Sequence, residues 1–139
     1  MRLNDREDIV EEFHAAFGHS IKERVTSEIL DFRMKLISEE FEELLEAVVI
    51  MASNMDVGNY RVEDYEHVIK ELADLQYVIS GFAVSLGIPL QVAFNRVHQS
   101  NMSKLGPDGR PILRSDGKVL KSENYRPPSL IDLIPIEKK

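Results

Sequence analysis

Apolar residues recur at helical spacing along most of the chain before Lys104, and the breaks in that pattern divide it into four helices. Ile9, Val10, Phe13 and Phe17 place a short amphipathic helix over residues 5–17, ended by Gly18, with residues 18–26 as a connection. The periodicity then holds from about Ser27 to Ala52. Ser53 through Tyr60, with Asn54, Gly58 and Asn59, supplies the stop. A second long helix is expected from about Val62 to Leu86, closed by Gly87, and a fourth from about Pro89, which suits a first helical turn, to Lys104. The short loop makes the two long helices antiparallel. After Lys104 two Asp-Gly turns appear, and Ser115-Asp116-Gly117 between alternating segments reads as a small β-hairpin that should lie against the helices. The predicted class is all-α, a four-helix bundle with a small C-terminal hairpin and tail, in a single domain over 1–139 with its helical core over about 5–105.

Acidic residues interrupt the apolar stripes of both long helices. At about 100° per residue, Glu40 and Glu43 fall within about 60° of each other, among Ile29, Leu36, Leu44, Ala47 and Met51. In the second long helix Glu71 falls among Val68, Leu72, Leu75, Val78, Ile79, Phe82 and Leu86, with Asp74 about 60° away at the stripe's edge. Unpaired carboxylates on a core face cost several kcal/mol each, so they require protons, basic partners or a cation. The core faces offer few bases. Oxygen ligands at i, i+3 on two antiparallel helices suit a hard divalent ion, magnesium first and manganese second. A solvated acidic surface is the ordinary fate of a Glu-rich run, and Glu42 and Glu46 fit it. In the fourth helix Leu90, Phe94, Val97 and Leu105 share a face with Asn101, and Lys104 lies alongside. His14 and His19 are read as packing or surface residues without a catalytic role.

Composition narrows the function. A hydrophobic content of 43% with no Cys or Trp fits an ordered protein of a reducing compartment, without disulfides, zinc-thiolate sites or cysteine redox chemistry. No apolar run approaches the roughly twenty residues of a membrane span, and MRLNDRED is too charged for a secretory signal, so a cytoplasmic location is expected. A net charge of −7 argues against nucleic-acid binding, whereas a polyanionic small molecule could still enter if metal ions supplied positive charge. Arg110, Arg114, Lys118, Lys121 and Arg126 make the tail the most basic stretch, able to grip outer phosphates.

The pattern Glu39-Glu40-x-x-Glu43 followed by Glu71-x-x-Asp74 resembles the signature of the all-α nucleoside triphosphate pyrophosphohydrolases. VHQSNMSKLG and DGKVLKSENYRPPSL are similar to the MazG-like branch related to phosphoribosyl-ATP pyrophosphohydrolase and to the dimeric dUTPases. The resemblance covers roughly residues 8–130. It implies cleavage between the α- and β-phosphates of a (d)NTP, dUTP foremost, with magnesium held by Glu40, Glu43, Glu71 and Asp74 and with Glu39 as general base. It further implies Asn101 and Lys104 as substrate-facing, with Lys121, Tyr125 and Arg126 as candidates from the tail. The alternatives are phosphoribosyl-ATP as substrate, or a non-catalytic helical module that binds nucleotide or metal. A pair of long helices hardly covers both its apolar faces, so a homodimer, or a tetramer, is expected.

Overall fold

The computed structural model describes residues 5–135, which form an all-α protein with a two-stranded hairpin. After Ile88 the chain passes from one compact unit to another. The first contains α1 (Arg6–Phe17), α2 (Ser27–Asp56) and α3 (Val62–Leu86). Asp5 caps α1 by accepting from the Asp8 N–H at 2.9 Å, and Thr26 caps α2 by accepting from the Ile29 N–H at 3.2 Å. Gly87 ends α3 in the left-handed conformation, φ 71°. The last-turn carbonyls of α3 also accept from the preceding connection, from the Lys22 N–H at Val84 and the Glu23 N–H at Ser85.

α2 and α3 run antiparallel, since falling positions on one meet rising positions on the other: Asn54 meets Asp64, Glu40 and Glu43 meet Glu71 and Asp74, and Arg33 meets Gly81. α2 continues to Asp56, past its expected end at Ala52. Ser53 and Asn54 stay helical because the Asn54 side chain donates across to Asp64 Oδ2 at 2.7 Å instead of competing for nearby backbone. Buried Asp64 also takes Arg61 Nη2 at 2.9 Å. The loop is therefore pinned at both ends, which fixes the register of the pair. Phe41, Leu45, Val48 and Val49 on α2 and Ile69 and Leu72 on α3 remain exposed.

The second unit holds α4 (Leu90–Met102), the strands β1 (Ile112–Leu113) and β2 (Val119–Leu120), and a closing 3-10 turn at Ile131–Leu133. The strands pair antiparallel, with Ile112 opposite Leu120. Two expectations are corrected here. The hairpin was expected to pack on the helices, yet all four strand residues are exposed, the pairing being closed locally by Arg114 N–H to Lys118 O and by an Arg114–Asp116 ion pair. On α4, Phe94, Val97 and Asn101 are exposed, and the buried position is Ser100. Its hydroxyl donates to Arg126 O at 2.7 Å, while Ser103 Oγ accepts from the Arg126 N–H at 2.9 Å and Ser122 Oγ donates to Leu105 O at 2.7 Å. Serine hydroxyls thus hold the tail to α4, with Arg96 binding Asp132 through both terminal guanidinium nitrogens, Nη1 and Nη2. No single helix among the described residues is long and apolar enough to cross a membrane.

Truncating Asn54 to alanine leaves a buried carboxylate oxygen short of a donor, a loss of about 1–3 kcal/mol. Urea unfolding of Asn54→Ala should show a lower midpoint with an unchanged slope.

Candidate metal centre

Glu40 and Glu43 are one helical turn apart on α2, as are Glu71 and Asp74 on α3, and the register set at Asn54–Asp64 brings the two pairs face to face. One carboxylate oxygen from each of the four lies within 4.8 Å of the others. Glu71 is buried, Glu40 and Asp74 are half-buried and Glu43 is exposed, so the expectation that Glu43 points into the core holds only in that it reaches the cluster. Glu39, the candidate base, is exposed on the adjoining position of α2 and stands outside the cluster of four.

The cluster is short of positive charge on its inner side. Glu40 Oε2 and Glu71 Oε2 are enclosed and accept no hydrogen bond. Burial, then the neighbouring carboxylates of Glu43, Asp74 and Glu71, raise the Glu40 carboxyl to about 7. The outer side is better supplied. Lys70 Nζ lies 2.7 Å from Asp74 Oδ2 and 3.4 Å from Glu71 Oε1, and these hydrogen bonds push its own value up to about 12. His67 Nε2 lies 3.2 Å from the same Glu71 oxygen. Orphaned inward oxygens from a set of hard anionic donors fit a divalent cation. Lys70 and His67 escaped the reading of the sequence, although Lys70 stands four residues before Asp74, the spacing at which helical ion pairs form.

The remaining candidates lie in the second unit. Asn101 is exposed on α4, and Lys104 is half-buried just beyond the helix. Lys121 Nζ sits 4.7 Å from the centroid of the Tyr125 ring, so these two are brought together. Arg126 is held by its backbone between Ser100 and Ser103, and the residue lines an open cavity of about 760 Å³ with Arg96, Gln99, Asn124 and Met102.

An antiparallel helix pair carrying two facing acid pairs defines a class, the all-α pyrophosphohydrolases of the MazG-like kind. Residues 10–101 match the family model described as phosphoribosyl-ATP pyrophosphohydrolase, and the chain belongs to that family. The match includes all four clustered acids. Among solved structures, the chain is similar to a crystal structure described as a candidate NTP pyrophosphohydrolase from Exiguobacterium sp. 255-15, with 29% identity, a TM-score of 0.45, and coverage of 91% of this chain and 90% of that one. No curated protein matches.

The raised Glu40 value sets a pH dependence. The metal-free fold holds a proton that an ordinary glutamate, near 4.5, releases earlier. This group's contribution is therefore fully present below about 4.5 and is lost as pH rises through about 7. In chelator, the melting temperature should fall across that window, and Glu40→Gln should flatten the decline. Melting curves of both proteins at a series of pH values check it; an unchanged slope in the variant would remove Glu40 as the cause.

Proposed function

We propose that this protein hydrolyses nucleoside triphosphates, dUTP foremost, between the α- and β-phosphates, releasing a nucleoside monophosphate and pyrophosphate. The observation that supports it is the four-carboxylate cluster with two buried, unpartnered oxygens in a chain of the pyrophosphohydrolase family. Glu40, Glu43, Glu71 and Asp74 would hold magnesium, with manganese as a substitute. When bound, the metal supplies positive charge for the phosphate oxygens and acidifies a coordinated water.

The chain's own part is positioning and charge. Lys70 neutralises the outer oxygens of Glu71 and Asp74, and the unpartnered oxygens of Glu40 and Glu71 would hold the ion. Glu39, exposed beside Glu40, takes the proton of the attacking water. Asn101, Lys104, Lys121, Tyr125 and Arg126 are proposed to face the substrate. The working protein is a single-domain homodimer of the cytoplasm, or a tetramer, whose second copy covers the exposed apolar positions of α2 and α3.

The family description favours one other substrate, phosphoribosyl-ATP. Pyrophosphate release measured over both compounds and a panel of (d)NTPs, with and without magnesium, decides. Highest turnover on dUTP is expected, and no release from any (d)NTP overturns the reading. Glu39→Gln should keep metal affinity and lower kcat by roughly two to four powers of ten. Partial rescue of its rate by excess magnesium would make Glu39 a ligand rather than the base. Sedimentation at micromolar concentration should show a dimer or a tetramer, and a strict monomer would remove the assembly from the proposal.

A further inference from the structure

Lys70 and His67 reach the four-carboxylate cluster, both from α3. Lys70 Nζ donates to Asp74 Oδ2 at 2.7 Å and to Glu71 Oε1 at 3.4 Å, so one ammonium bridges half of the proposed ligand set. His67 Nε2 stands 3.2 Å from the same Glu71 oxygen and carries charge only when protonated. Of the two, Lys70 is the one that brings a permanent positive charge.

The contact is built differently from the ion pair that closes the α2–α3 connection. There Arg61 grips buried Asp64 with Nη2 at 2.9 Å from one oxygen and Nε at 3.4 Å from the other, and Asn54 adds a third bond. A planar fork matched to a carboxylate suits a lasting pair. Lys70 offers a single nitrogen on a flexible four-carbon stem, and its side chain is 65% exposed. A point charge on a solvated arm can leave its partners without opening a cavity or moving the backbone.

An ion and this ammonium make competing demands. Asp74 and Glu71 each give an oxygen to the set of four that lie within 4.8 Å of one another. A divalent ion drawn to that set meets a like charge at hydrogen-bond distance from two of its ligands, beside oxygens that are enclosed. Without an ion, the same ammonium relieves the repulsion between the Glu71 and Asp74 carboxylates. We infer that Lys70 is a stand-in for the metal: it holds the empty cluster together, keeps the metal affinity of the free protein low, and swings into solvent when a divalent ion takes Asp74 and Glu71. This rests on the metal-dependent reading above and adds a regulation to it, a level of free metal below which the site stays empty and intact. Lys70 is in this sense a positioning residue, acting through two ligands.

Mn²⁺, followed by the EPR signal of the free ion, is titrated into the full chain after chelator has stripped it of metal. Lys70→Met, which keeps a long stem and removes the charge, should bind Mn²⁺ about tenfold more tightly than the wild type. Lys70→Arg keeps the charge and replaces the point by a fork, and should bind it several-fold less tightly. The second variant separates contact from field: equal affinity in wild type and Lys70→Arg would leave only a charge acting through space and overturns the displacement. Unchanged or weaker binding by Lys70→Met overturns it too, since weaker binding means that Lys70 arranges the ligands for the ion. The ammonium resonance of Lys70 in nitrogen-labelled protein, assigned by its loss in Lys70→Met, should be visible in chelator and should vanish into rapid water exchange at saturating Mg²⁺. A resonance that persists unchanged with the ion bound overturns the inference. Melting curves in chelator report folding, and if Lys70→Met requires metal to fold, Lys70→Arg and the ammonium resonance carry the test. If no (d)NTP is hydrolysed while the Mn²⁺ affinities fall in the stated order, the pyrophosphohydrolase reading fails and the role of Lys70 stands. Mn²⁺ bound by none of the three proteins removes that role.

Discussion

Mutual repulsion among four carboxylates between α2 and α3 is the constraint to which the rest of the first unit answers. Each acid could have turned to solvent on a helix with other faces available, and Glu42 and Glu46 do so. Instead the short connection and the Asn54–Asp64–Arg61 bonds lock a register that forces the two pairs together. The outer oxygens of Glu71 and Asp74 are relieved by Lys70 and His67, and the inner ones of Glu40 and Glu71 are left bare. Such an arrangement destabilises the empty protein and has the charge and ligand type that suit a cation.

A second polar group lies farther along the same seam with the opposite sign. Among the described residues Arg33 is buried without a counter-ion, and Glu40 is enclosed without a donor for one oxygen, two turns away. A fold selected for stability alone would have joined them as a pair or replaced both by apolar side chains, since an isolated buried charge costs more than either. Keeping the two apart leaves a seam that is positive at one end and negative, metal-ready, at the other.

Much of this was legible in the sequence because periodicity is sensitive to what breaks it. The acids stood out as interruptions of apolar stripes, and the Gly and Asn positions marked the loops. The end of α2 was misplaced because Asn54 is ordinarily a helix breaker, and only its partner ten residues later on α3 explains why it remains helical. The inward face of α4 was misassigned for a related reason. Phe94 and Val97 dominate its apolar pattern, whereas the face that packs uses Ser100 and Ser103, whose hydroxyls bond to a tail segment distant in sequence. His19 and Arg33 were unreadable as a pair, since each looks ordinary until the fold places one ring nitrogen against one guanidinium.

The serine attachment of the tail also bears on how such a protein can change. Ser100 and Ser103 recognise Arg126 only through its amide hydrogen and carbonyl oxygen, atoms that nearly every residue possesses. The path of the chain at that point is thus specified independently of the side chain it carries. Substitutions at 126 can alter charge, length or hydrogen-bonding capacity in the adjoining cavity without releasing the segment, whereas proline, which lacks the N–H, cannot be accommodated in the same way. The second unit therefore separates a fixed backbone track from an exchangeable side chain, which is the arrangement by which a lineage can retune a surface while its scaffold stays constant.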